Sequence, residues 1–100
     1  MEQYPRESIE YVYVVVEGSD NLDTLPVVGQ IQPYGIRPDP SAWETATWGV
    51  DADGNTAARI LIGPGTPFDF STAPGTVIPW AQVTADPELP LLEGTPVQIT

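Results

Sequence analysis

Apolar and polar positions alternate with a period of two in several short stretches of this chain, and no window sustains an apolar period of 3.6 residues. The clearest run is Ser8–Glu17. Ile9, Tyr11, Tyr13 and Val15 fall on one side of a strand there, and Val12, Val14 and Val16 on the other. A strand that is apolar on both faces predicts cover on both, by a second sheet or by a partner. Val27–Gln32 reads as the next strand, followed by a Pro/Gly-rich connection over Pro33–Pro40. Trp43–Val50 and Thr56–Ile62 read as a hairpin, because Asp53-Gly54 between them is a tight-turn dipeptide. Short strands are predicted at Phe68–Ser71, Val77–Thr84 and Pro96–Thr100, and polyproline-like chain over Asp86–Pro90. Pro79 lacks the N–H that a ladder needs, which predicts an edge or a bulge there.

The punctuation between these runs is dense. Twelve Pro and nine Gly cut the chain into pieces too short for an ordinary helix. With 100 residues the chain fits one domain. The expected fold is all-β: an antiparallel two-sheet, immunoglobulin-like sandwich of about seven strands. Residues 1–7 are expected to form a polar N-terminal arm, and 8–100 the sandwich.

Charge narrows the function. Fourteen acidic residues face only Arg6, Arg37 and Arg59, with no Lys, for a net charge of −11. Phosphate neutralisation supplies most nucleic-acid affinity, so this balance argues against a DNA or RNA partner, and against an anionic membrane for the same reason. It favours solubility and steering toward basic partners. There is no Cys, so disulfides and thiolate metal sites are excluded. The polar start predicts no signal peptide, and the longest apolar run, Val12–Val16, is too short for a membrane span.

Catalysis lacks its usual parts. His and Cys are absent, and Ser8, Ser19, Ser41 and Ser71 have no evident activating base. The expectation is a protein that is not an enzyme and carries no cofactor or metal. Asp51, Asp53 and Asn55 alternate as in an acidic Ca²⁺ loop, but the Gly of the run, Gly54, is at position 4, and Thr56 and Ile62 stand at positions 6 and 12, where an EF-hand needs Gly and a bidentate Glu. A solvated hairpin turn is the favoured reading. Asp20, Asn21 and Asp23 form a second such cluster with the same reading. Trp43, Trp48 and Trp80 could stack on sugars, but Trp48 and Trp80 read as core, and Trp43, beside a Pro-Ser turn, as near the surface.

An ordered series of elements carries a resemblance: Pro40-Ser-Ala-Trp43, Ala46-Thr-Trp48, Ile60-Leu-Ile-Gly-Pro64, Pro74-Gly-Thr76, Trp80-Ala-Gln-Val-Thr84, Pro87-Glu-Leu-Pro90, Gly94 and Val97-Gln-Ile-Thr100. Over residues 25–100 the chain resembles a small protein encoded among the head and connector genes of tailed phages that infect actinobacteria. The resemblance implies a virion component, assembled in the host cytoplasm, that contacts phage capsid or connector proteins in many copies within a symmetric shell. Capsid decoration is the leading expectation, with a head-to-tail connector, neck or tail component as the alternative. A carbohydrate- or Ca²⁺-binding module in host recognition is the alternative of another class, and acidic mimicry of nucleic acid a third. Tyr4, Arg6, Tyr34, Arg37 and Trp43 are the expected partner-binding residues, because Tyr, Arg and Trp are enriched at interface hot spots.

Overall fold

A computed structural model describes residues 2–16, 24–84 and 89–100. Nine strands form among them: β1 (Glu2–Tyr4), β2 (Glu10–Val15), β3 (Val27–Pro33), β4 (Glu44–Thr45), β5 (Thr47–Val50), β6 (Thr56–Ile62), β7 (Gly75–Val83), β8 (Leu91–Glu93) and β9 (Val97–Ile99). They build two packed sheets with no α-helix. One has the order β1-β9-β7-β3-β4, with β8 also on β7. The other is β2-β6-β5. Lettered as an immunoglobulin domain, β2, β6 and β5 stand where B, E and D stand, and β9, β7, β3 and β4 where G, F, C and C′ stand. The two-sheet sandwich expected from the alternating runs is the one that forms, with more and shorter strands than expected.

Alternation places the core. Val12, Val14 and Val16 project from β2 inward with Ala58, Ile60 and Ile62 of β6. They meet Val27 and Ile31 of β3, Val77, Ala81 and Val83 of β7, and Val97 and Ile99 of β9. Removing such side chains from water is the main stabilising force, at about 1.5–3 kcal/mol for each large one.

Several local expectations are corrected. Residues 2–4 are a strand and not a polar arm: β1 lies parallel to β9, with Tyr4 opposite Ile99 and buried in the core. Phe68–Ser71 is not a strand. Thr66 Oγ1 donates to the Gly63 carbonyl at 2.7 Å and accepts from Phe68 N–H at 3.2 Å, which closes a turn, while Phe68 is buried. The run Trp43–Val50 is two strands. It leaves the larger sheet at Ala46, whose N–H donates to the Val27 carbonyl at 3.2 Å, and joins the smaller one as β5. The loop expected at Gly18–Asp23 and most of Asp86–Pro90 lie outside the described residues.

Pro79 sits in the central strand β7 and not at an edge. Its carbonyl accepts from Gly94 N–H at 2.8 Å, so its nitrogen faces the same side. The neighbouring strand is interrupted there, between β8 and β9, so the missing donor falls opposite a break in the ladder.

Candidate protein-binding surface

The sandwich has two outward faces, and the chain treats them differently. On the larger sheet, Gln30 and Trp80 are cross-strand partners that point away from the core. Both are buried, because residues 34–43 run over them. Gln30 is fully buried and pins that segment. Its Nε2 donates to the Asp39 carbonyl at 3.0 Å, and its Oε1 accepts from Asp39 N–H at 2.9 Å and from Gln32 Nε2 at 2.7 Å. Asp39 braces the segment in turn, accepting at Oδ1 from the Ser41 N–H and hydroxyl, which holds its carboxyl below the usual carboxylate range. The Arg37 guanidinium lies over the Trp80 ring, 5.3 Å from its centroid. Trp80 Nε1 is buried with no hydrogen-bond partner among the described residues.

The outward face of β2-β6-β5 has no such cover among the described residues. Register sets Tyr11 beside Leu61, Tyr13, Arg59 and Thr47 in one row across the three strands, and Val15, Ala57 and Gly49 in the next. Tyr11, Tyr13, Val15 and Leu61 are 37–42% exposed, and Ile9, next to the strand, is 58% exposed. Monomeric proteins rarely leave contiguous apolar surface uncovered without a use for it.

Arg59 is the single cation on this face. Its guanidinium stacks over Tyr11 at 4.5 Å from the ring centroid, and its Nε donates to Thr47 Oγ1 at 3.2 Å. Gly49 makes this path possible: a Cβ there would stand 2.4 Å from Arg59 Cδ. No carboxylate meets the guanidinium among the described residues. The stack fixes the side chain beforehand, so a partner's carboxylate or carbonyl would order little on binding.

The residues expected at an interface divide. Tyr34 is 68% exposed on the covering segment, with Arg37 behind it over Trp80 and Trp43 half-buried at the segment's end, beside β4. Tyr4 and Arg6 lie by β1, at the opposite edge of the larger sheet. Tyr4 is in the core, and burial together with a hydrogen bond to Glu2 pushes its phenol far above its ordinary value. Arg6 Nε donates to the Thr100 carbonyl at 3.1 Å, tying the two chain ends together. These five residues therefore form no single surface. Tyr11, Tyr13, Arg59 and Leu61 do, and none of them was among the expected site residues. The signal for Tyr11 and Tyr13 was the doubly apolar run at residues 9–16.

Of the tryptophans, Trp48 packs against the core and donates from Nε1 to the Leu25 carbonyl at 2.8 Å. Trp80 is buried, but on the far side of its sheet from the core cluster. The Asp51–Asn55 loop uses its own carboxylate. Asp51 Oδ1 accepts from the N–H groups of Asn55 at 2.9 Å and Asp53 at 3.0 Å, and the Asn55 bond above all holds its carboxyl low. Among the described residues no group of three His, Cys, Asp or Glu side chains gathers as metal ligands would. A cavity of about 10 Å³ lined by Tyr4, Arg6, Ile62, Phe70 and Ile99 has room for about one water. Asp20, Asn21 and Asp23 lie outside the described residues. In comparisons with known proteins the chain matches no family model, no curated protein and no solved structure.

Proposed function

We propose that this protein is a non-enzymatic structural component of a tailed-phage virion, a capsid decoration or minor capsid protein that binds the major capsid protein through the outward face of β2-β6-β5. One observation carries the binding part: an aromatic and aliphatic sheet face, 37–42% exposed at Tyr11, Tyr13, Val15 and Leu61, organised around a pre-stacked Arg59. Tyr and Arg are the residue types that dominate interface energies. The phage setting rests on the sequence resemblance. In this reading the acidic Asp51–Asn55 turn, which joins β5 to β6 at one end of the face, steers and orients docking. Many copies on a symmetric shell turn a modest single contact into stable attachment.

The test is quantitative mass spectrometry of purified virions, combined with binding of the recombinant chain to empty shells of the same phage. The expected result is a high copy number related to the shell's symmetry, and binding that falls at least about tenfold in Tyr11→Ser/Leu61→Ser, a loss of about 1.4 kcal/mol. A copy number matching one ring at the portal would move the protein to the connector. Absence from the particle would overturn the proposal.

A further inference from the structure

Among the described residues, strand β2 leaves one edge of its sheet open. Val16 N–H donates to the Thr56 carbonyl, so the even-numbered residues turn their backbone groups toward β6. Backbone groups alternate along a strand, so those of Tyr11, Tyr13 and Val15 face outward, where no strand pairs with them among the described residues. In an immunoglobulin domain this is the place of strand A. Here the N-terminal strand β1 pairs with β9 instead, and the place beside β2 is left open.

The other edges are guarded by brevity. Edge strands β1, β4, β5 and β8 have three, two, four and three residues, while β2 has six. None of the usual protections, a Lys, a Pro or a bulge, occurs within Glu10–Val15. Charge narrows the occupant. The chain carries −11 overall, yet the strands β2, β5 and β6 hold one carboxylate, Glu10, and one guanidinium, Arg59. A neutral edge offers a basic segment nothing to prefer, and it offers a copy of itself nothing to repel.

We infer that two copies of this chain pair antiparallel through β2, about a two-fold axis at Tyr13. That register sets Tyr13 opposite its own copy and Tyr11 opposite Val15, so the outward backbone groups of all three residues find partners. Tyr13–Tyr13 and Tyr11–Val15 become neighbours on the outward face, the kinds of pair that stabilise sheets. Glu10 falls opposite Val16 and not opposite its own copy. The two small sheets become one continuous sheet, and the Tyr11–Tyr13–Leu61 face doubles. The inference does not depend on the virion assignment: a dimer that ignores phage shells would sink that assignment alone, and a shell-binding monomer would sink only the dimer.

Light scattering and sedimentation of the full chain test it at about 0.05 and 0.5 M salt. The expected result is twice the monomer mass, with a dimer fraction that rises with salt. Salt screens the repulsion between two −11 bodies and leaves strand pairing intact. Tyr13→Pro should be monomeric with unchanged far-UV circular dichroism and a cooperative melt, since the monomer does not use that N–H. Because the chain has no native Cys, Tyr13→Cys should oxidise to a cross-linked dimer, its paired Cα atoms being about 5.5 Å apart, while Thr72→Cys on an exposed loop should not. A monomer at both salt concentrations, a dimer that survives Tyr13→Pro, or equal cross-linking at both positions would overturn the inference. A dimer that weakens as salt rises would point to a charged contact and overturn it as well.

Discussion

The two outward faces of this sandwich solve one problem in opposite ways. The larger sheet turns Gln30 and Trp80 outward and then buries both under residues 34–43. The smaller sheet turns Tyr11, Tyr13, Val15 and Leu61 outward and leaves them bare among the described residues. Covering a face takes a polar anchor, and Gln30 supplies it by accepting and donating at the backbone of a single residue, Asp39. The uncovered face has no such anchor. Its one cation, Arg59, is braced by Tyr11 and Thr47 within the same sheet. The first arrangement serves stability and the second, on the function proposed above, recognition, so substitutions on the two faces should have different consequences.

The sharpest contrast is expected at Gln30. Gln30→Ala leaves the Asp39 N–H and carbonyl without their partner and opens space beneath the segment, at a cost of about 3 kcal/mol. Urea unfolding should register that loss, and hydrogen exchange at residues 34–43 should accelerate. A change under about 1 kcal/mol would mean that the segment holds its place without Gln30.

Within β2, neighbouring positions should separate the two roles. Val12→Ala, in the core, should lower unfolding free energy by about 2 kcal/mol and leave the outward face intact. Tyr13→Ser, on the outward face, should cost under about 1 kcal/mol while weakening partner binding at least about tenfold. Similar stability losses at both positions would erase the distinction between the faces. Arg59→Ala removes the stack on Tyr11 and should cost about 0.5–1 kcal/mol. Near-ultraviolet circular dichroism would report the freed tyrosine, and an unchanged spectrum would count against the stack.

The smallest effect concerns the turns. Asp39, Asp51 and Asp69 all have carboxyls held low, by Ser41, Asn55 and Ser71 respectively. A carboxyl lower in the folded than in the unfolded chain stabilises above its unfolded value, about 3.9, and that contribution disappears as pH falls through the folded value. Melting temperature should therefore drop in acid below about pH 4, and less steeply in Asp51→Ala. An identical acid profile in that variant would remove the Asp51 turn from the account.

How much of this was legible beforehand varied with the range of the interaction. The alternation in residues 9–16 and the Asp53-Gly54 turn are local, and they gave the sandwich and its hairpin. β1 was not legible, because Glu-Gln-Tyr has no strand signature and pairs with residues at the far end of the chain. The sheet change at Ala46 was hidden because no Gly or Pro marks the corner itself, and the run's one Gly, Gly49, lies beyond it within β5. The place of Pro79 could be understood only with the break between β8 and β9. The uncovered face had a visible sign, apolar residues on both sides of one strand, but which side met the core depended on packing. Arg59 looked like one of three scattered cations until register brought it between Tyr11, Tyr13 and Thr47.

Hydroxyl-radical footprinting of the chain, free and bound to empty capsid shells, compares the two faces in one experiment. The account predicts that Tyr11 and Tyr13 become protected on binding while Tyr34, on the covered face, reacts as before. Protection of Tyr34 with Tyr11 and Tyr13 unchanged would contradict it.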